Sequence, residues 1–291
     1  MSKFRGTGVA LITPFTSDLE VDYKGLAKLV NHSIDCGVAY LVLMGTTAES
    51  ATLSDQEKDK AIEVIKETNA GRVPMVIGIG GNNTSEVVKK ISGSDLKDFQ
   101  AILSVSPAYN KPTQEGIYQH FKAIAESVDK NIILYNVPSR TASNIASETT
   151  LRLASDFKNI VAIKEASPNF VQSTEIIKDK PEGFSVLSGD DEFAVPMTLA
   201  GGEGVISVIG QALAPYNEMI QLALDRKVNE AYALHYQWMD LIRSIYIEGN
   251  PAGIKALLEI QGVCSRNTRL PLVPASESLK QKIEQLYTQS K

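Results

Sequence analysis

The sequence predicts an α/β fold: a (β/α)8 TIM barrel over residues 1–225, followed by a C-terminal helical region over residues 226–291. Three observations carry this expectation. Eight short, continuous apolar runs recur along the chain, and such runs read as parallel strands buried on both faces. Each of the first seven precedes a segment able to form a helix, and the eighth leads to one near residues 214–224. The alternation stops after Asp225. A doubly wound open sheet fits the same alternation. Eight units within about 225 residues fit a closed barrel better, because most open sheets are smaller.

The elements follow in order. Residues 9–12 form the first run, and Leu26, Leu29, Val30 and Ile34 then share one helical face. Residues 40–44 form the second run. Ser54 and Glu57 make a capping box that opens a helix with Ala61, Ile62 and Ile65 inward. Residues 75–79 and 101–105 are the third and fourth runs, and Ile117, Phe121, Ile124, Ala125 and Val128 define the next helical face. Residues 132–135, 160–163, 184–187 and 204–208 complete the set. Beyond the barrel, Val228, Ala231, His235, Met239, Ile242 and Ile245 mark a long amphipathic helix. Helical segments near residues 251–260 and 276–287 end the chain.

Composition narrows the functional classes. The 43% hydrophobic content is enough for a sizeable core. With 29 basic and 34 acidic residues the net charge is -5, which argues against nucleic acid or an anionic membrane as main partner. The N-terminus has no sustained apolar stretch before Thr13 and does not read as a signal peptide; no run approaches the ~18 residues of a membrane span. A cytoplasmic location is expected. Cys36 and Cys264 lack CxxC spacing and read as reduced thiols. His32, His120 and His235 lie on helical segments without metal-ligand spacing, His235 reading as a satisfied interior or interface residue. Asp190 and Asp191 read as acceptors for backbone amides at a strand-to-helix turn. The run from Gly78 to Asn83 resembles a dinucleotide fingerprint superficially, with Asn83 where a small residue belongs, and the P-loop pattern is absent. No metal or organic cofactor is expected.

Catalytic groups of such barrels stand at the C-terminal ends of the strands and in the following loops. That rule selects residues 45–49, 107–110, 135–140, 164–165 and 189–191. Lys164 follows an apolar strand directly. Desolvation disfavours the charged form of an amine, and a neutral amine attacks a ketone to give a Schiff base. The same placement fits a lysine that leaves the core and snorkels to solvent. Tyr135, at another strand end, has a hydroxyl suited to relaying protons, or packs at the rim. Thr46 and Thr47 offer paired hydroxyls that also serve as turn caps. Arg140 is suited to gripping a carboxylate, and equally to an ordinary surface position.

Seven segments occur together: GVALITPF at the start, GTTAES at 45–50, SPAYNKPTQEG at 106–116, YNVPSRT at 135–141, IKEAS at 163–167, LSGDD at 187–191 and GVISV at 204–208. In this combination the chain resembles the dihydrodipicolinate synthase family, within the pyruvate-dependent class I aldolase and lyase superfamily, from about Gly6 to the C-terminal helices. The resemblance implies that Lys164 forms the Schiff base with pyruvate and that Tyr135 relays protons. It implies that Thr47 links Tyr135 to Tyr109, which reaches across a dimer interface into a neighbouring site. Thr46 would help hold the pyruvate carboxylate, Arg140 would receive the carboxylate of L-aspartate 4-semialdehyde, and Gly189 and Ile206 would line the pyruvate pocket. It further implies a homotetramer built as a dimer of dimers, and a product that feeds diaminopimelate and lysine synthesis.

Two departures stand out. Ala48 replaces the glycine of the usual GTTGE, which requires φ to stay negative there. Ala108 replaces the first of two adjacent tyrosines at the dimer face. Ser50, Ala51, Asn82 and Glu86 match the family's lysine effector site, but Asp55 and Lys58 stand where lysine-sensitive bacterial relatives carry histidines. Lys58 would repel a cationic effector, so weak or absent inhibition by lysine is expected. The competing readings are an N-acetylneuraminate lyase or keto-deoxy-sugar-acid aldolase, which would share Lys164 and Tyr135 and usually lack Arg140, and a catalytically silent binding barrel.

Overall fold

A computed structural model describes residues 4–290. Eight parallel strands close into a barrel in sequence order: β1 (Gly6–Ala10), β2 (Tyr40–Leu43), β3 (Met75–Gly78), β4 (Ala101–Val105), β5 (Asn131–Asn136), β6 (Ile160–Glu165), β7 (Ser185–Ser188) and β8 (Gly204–Ser207). Around it lie α1 (Tyr23–Asp35), α2 (Asp55–Asn69), α3 (Thr84–Ser92), α4 (Gln114–Glu126), the single turn α5 (Pro138–Thr141), α6 (Ser147–Asp156), α7 (Phe170–Asp179), α8 (Ala194–Leu199) and α9 (Ala214–Leu224). Three more helices follow: α10 (Val228–Ser244), α11 (Ala252–Ile260) and α12 (Glu277–Gln289). The barrel expectation holds over the open sheet because β1 pairs with both β2 and β8.

Strand alternation divides the core in two. Val42, Val76, Leu103, Ile133, Tyr135, Leu187 and Ile206 point into the lumen, while Leu41, Leu43, Ile77, Ile102, Leu134, Ile163 and Val186 pack against the helices. A side chain at Gly8 would meet the Tyr40 ring at 2.0 Å, so the glycine is what lets Tyr40 fill the lumen. Phe4 closes on that ring edge-to-face, with centroids 5.7 Å apart.

The first strand differs from the expected 9–12. It starts at Gly6, because Gly6 to Val9 pair with β8, and it ends at Ala10. Ile12 then gives its amide to the Gln211 side chain instead of the sheet. Glycines hid this start from a reading based on apolar runs. The capping box of Ser54 and Glu57 forms as expected, with Ala61 and Ile65 buried. On α10, Ala231, His235 and Ile242 face inward as expected, but Trp238 is buried where Met239 was expected and Val228 is exposed. The helix turns Trp238 toward Tyr287 of α12, centroids 6.4 Å apart, and this packing sets the face. His235 is interior, yet its Nδ1 has no hydrogen-bond partner among the described residues, contrary to a satisfied residue.

Candidate active site

Tyr135 and Lys164 are register partners on β5 and β6, and Asn136 and Glu165 are the next pair. Alternation sends the first pair inward and the second outward. Lys164 is 5% exposed, and its Nζ lies 4.5 Å from the centre of the Tyr135 ring. No ion pair joins Lys164 to a carboxylate among the described residues. Glu165, the nearest acid in sequence, is fully committed elsewhere. Its carboxylate accepts from Asn136 Nδ2 (3.0 Å to each oxygen), Gln172 Nε2 (2.9 Å) and the Ser167 amide (2.7 Å). Those donors satisfy a buried charge that would otherwise be costly.

The same network braces the neighbouring loop. Asn136 Oδ1 accepts from the Ile145 amide at 2.9 Å, closing the segment that carries Arg140. Pro138 opens the one-turn helix α5, and Arg140 stands on it, exposed, at the wall of a cavity of about 820 Å3. Thr46 and Tyr135 share that wall with Arg140, as do Ser50 and Ala51 of the expected effector set.

Thr46 and Thr47 sit on a 3-10 turn after β2, Thr46 exposed and Thr47 buried. Ala48 keeps a negative φ, as its side chain requires; the left-handed residue is Glu49, at φ 53°. Thr47 Oγ1 accepts from Asn250 Nδ2 at 2.9 Å, and no hydrogen bond joins it to Tyr135 or Tyr109 among the described residues. Tyr109 is 90% exposed, with φ 70° and its amide bonded to Thr141 O at 3.2 Å. The chain alone therefore does not bring Tyr109 to Tyr135. Ile206 lines the lumen beside Gly8, and a side chain at Gly189 would strike Ala166 at 2.5 Å. Asn82 Oδ1 accepts from the Ala108 amide at 2.8 Å, and Glu86 lies exposed in the first turn of α3.

Asp190 and Asp191 do bind backbone amides. Asp190 accepts from Glu192 and Phe193, and Asp191 from Val208 and Ile209. Asp191 also accepts from Tyr246 Oη at 2.6 Å, a partner the sequence did not suggest. Asn250 and Lys255 were likewise missed, and Glu49, selected by its place after a strand, was given no role. Lys255 is a charged residue within the apolar run of α11, and that interruption was the available signal. Among the described residues no group of three His, Cys, Asp or Glu could hold a metal, and no helix is long and apolar enough to cross a membrane.

A buried lysine in the mouth of a parallel barrel, in no ion pair among the described residues and set against a tyrosine that lines an arginine-walled cavity, is the frame of a (β/α)8-barrel enzyme. The chain belongs to the Dihydrodipicolinate synthetase family, whose model matches residues 3–290. It is 54% identical to a 4-hydroxy-tetrahydrodipicolinate synthase of Flavobacterium psychrophilum, over 99% of this chain and 98% of the relative. A 4-hydroxy-tetrahydrodipicolinate synthase of Cytophaga hutchinsonii is 49% identical over 99% of this chain and 97% of its own. The solved dihydrodipicolinate synthase of Aquifex aeolicus matches with a TM-score of 0.93 at 41% identity, over 98% of this chain and 97% of that one.

Proposed function

We propose that this chain catalyses the 4-hydroxy-tetrahydrodipicolinate synthase reaction, condensing pyruvate with L-aspartate 4-semialdehyde in lysine and diaminopimelate synthesis, with Lys164 as nucleophile. The observation that carries the assignment is the buried Lys164 Nζ, in no ion pair among the described residues and 4.5 Å from the Tyr135 ring centre. The Lys164 amine attacks C2 of pyruvate, and the carbinolamine loses one water to form the imine. Loss of a C3 proton gives the enamine, whose C3 bonds to the aldehyde carbon. The amino group of the second substrate then attacks the imine carbon, closes the ring and releases Lys164. Each proton moved needs a nearby relay, the role we give Tyr135 with Thr47 and Tyr109. Thr46 takes the pyruvate carboxylate, Arg140 that of the semialdehyde, and Gly189 and Ile206 shape the pyruvate pocket.

The exposed Tyr109 supports an assembly in which a second copy uses it, and we place the chain in a homotetramer of paired dimers. The reaction is assigned to residues 1–225, with 226–291 as a helical region packed on them, and to the cytoplasm. Borohydride reduction in the presence of pyruvate, followed by peptide mapping, tests the central step. A pyruvyl adduct on Lys164 is expected; absence of an adduct on every lysine ends the assignment.

A further inference from the structure

The turn that carries Thr46 and Thr47 is held from outside the barrel. It ends at Glu49 in the left-handed region, which an L-residue adopts only at a cost. The Glu49 side chain is 1% exposed, and both its oxygens are engaged. Oε1 meets Lys255 Nζ at 2.5 Å, and Oε2 accepts from the Arg269 amide at 3.0 Å. Lys255 comes from α11, with its side chain fully buried. It donates again to Asn267 O at 2.8 Å, and its Nζ lies 4.3 Å from the centre of the Phe15 ring. Just before the helix, Asn250 gives its amide to Thr47. Thr47 accepts that bond, so its own hydroxyl hydrogen remains available to donate into the site.

Stability does not account for this arrangement. The neighbours of Lys255 on α11, Ile254, Ala256, Leu257 and Leu258, are apolar and buried. An apolar side chain would suit the same environment, and replacing a buried ion pair by apolar groups is often neutral or stabilising. What the pair supplies is direction. It fixes the carboxylate, hence the strained residue, hence the turn. The platform is itself rigid: a side chain at Gly253 would strike Ile245 O at 2.1 Å, so α11 sits against the end of α10 with no slack.

We propose that the Glu49–Lys255 ion pair sets the position of the Thr46–Thr47 turn for the pyruvate carboxylate, making Glu49 and Lys255 positioning residues for this site. The inference rests on the reading that Lys164 captures pyruvate and that Thr46, on the same turn as Thr47, holds its carboxylate.

The test uses the full chain with E49Q and K255M combined. Gln keeps an acceptor for the Arg269 amide, Met keeps volume, and no buried charge is left unpaired. The expected result is a near wild-type melting temperature with the pyruvate KM raised about tenfold or more and kcat little changed. Borohydride at saturating pyruvate should still label Lys164 in the variant. An unaltered pyruvate KM in the folded variant overturns the inference. Glu49→Asp alone is the milder arm: it keeps both charges and draws the carboxylate back by one methylene, so the turn must shift to hold the pair, and the pyruvate KM should rise about threefold; no change there overturns the inference even where the double variant does not fold. No adduct in the wild-type chain sinks the Schiff-base reading and this inference with it. An adduct in wild type with unmoved KM values in the variants sinks the positioning role only.

Discussion

Lys164 lies opposite Tyr135 across the β5–β6 ladder, its Nζ 4.5 Å from the ring centre and in no ion pair among the described residues. A buried amine placed for chemistry is poorly placed for stability. Lys164→Met should therefore abolish the borohydride-trapped adduct and lower turnover at least ~1000-fold, while melting about 2–4 °C higher than wild type. Scanning calorimetry beside single-turnover assays checks both halves. A variant that loses activity and stability together would show Lys164 to be a packing residue.

The parts of this site legible in the sequence were those written locally. Lys164 stands near the end of one apolar strand, Tyr135 near the end of another and Arg140 just beyond it, so the strand-end rule finds all three. Glu165 and Asn136 become a pair only when β5 and β6 are set in register. Glu49 and Lys255 lie 206 residues apart, and nothing near Glu49 announces a cation. The link from Thr47 to Asn250 is of the same kind, spanning 203 residues. The start of β1 was lost for a different reason: its glycines serve Tyr40 and the β8 ladder, and carry no apolar signature.

Arg140 stands exposed at the cavity wall, where a guanidinium can meet a carboxylate in two parallel hydrogen bonds. On the proposed reading its target is the semialdehyde, not pyruvate. Arg140→Ala should raise the KM for the semialdehyde by about 10- to 100-fold, the worth of charge-assisted bonds, and leave the pyruvate KM within about threefold. Initial rates with each substrate varied in turn decide it. Equal effects on both would remove Arg140 from specificity.

Tyr109 is 90% exposed while its backbone sits at φ 70°, tied to Thr141. A partner subunit that uses the ring predicts complementation. Tyr109→Ala and Lys164→Ala should each be inactive alone. Mixed and reassembled, they should regain about a quarter of wild-type activity, because half the dimers then hold one complete site of two. No recovery, with mixed dimers confirmed by native mass spectrometry, would place Tyr109 outside the relay.

Lys58 lines the cavity beside Ser50 and Ala51, its Nζ 3.2 Å from Asp55 Oδ1. Asp55 is largely solvent-exposed, so it screens the lysine only weakly. A cationic amino acid entering there meets a like charge. Lysine below about 1 mM should leave the rate unchanged, and Lys58→His should lower the inhibitory concentration by up to about fivefold, the effect of a weak surface charge. Sub-millimolar inhibition of the unaltered chain would contradict this.

His120 bridges α4 to the start of α3, with Nδ1 2.8 Å from Thr84 Oγ1 and Nε2 buried without a partner among the described residues. Burial pushes its pKa down to about 4. An unfolded histidine titrates near 6.5, so between about 6.5 and 4 the unfolded chain binds a proton that the folded chain refuses. Its contribution is complete above pH 6.5 and is lost as pH falls through that window, by at most ~3 kcal/mol. His32 and His235 are shifted the same way by burial, so some slope must persist without it. His120→Gln can keep the bond to Thr84 and does not titrate. The difference in urea midpoint between pH 7 and pH 5 should shrink in this variant; an identical difference would mean that His120 titrates normally in the folded chain.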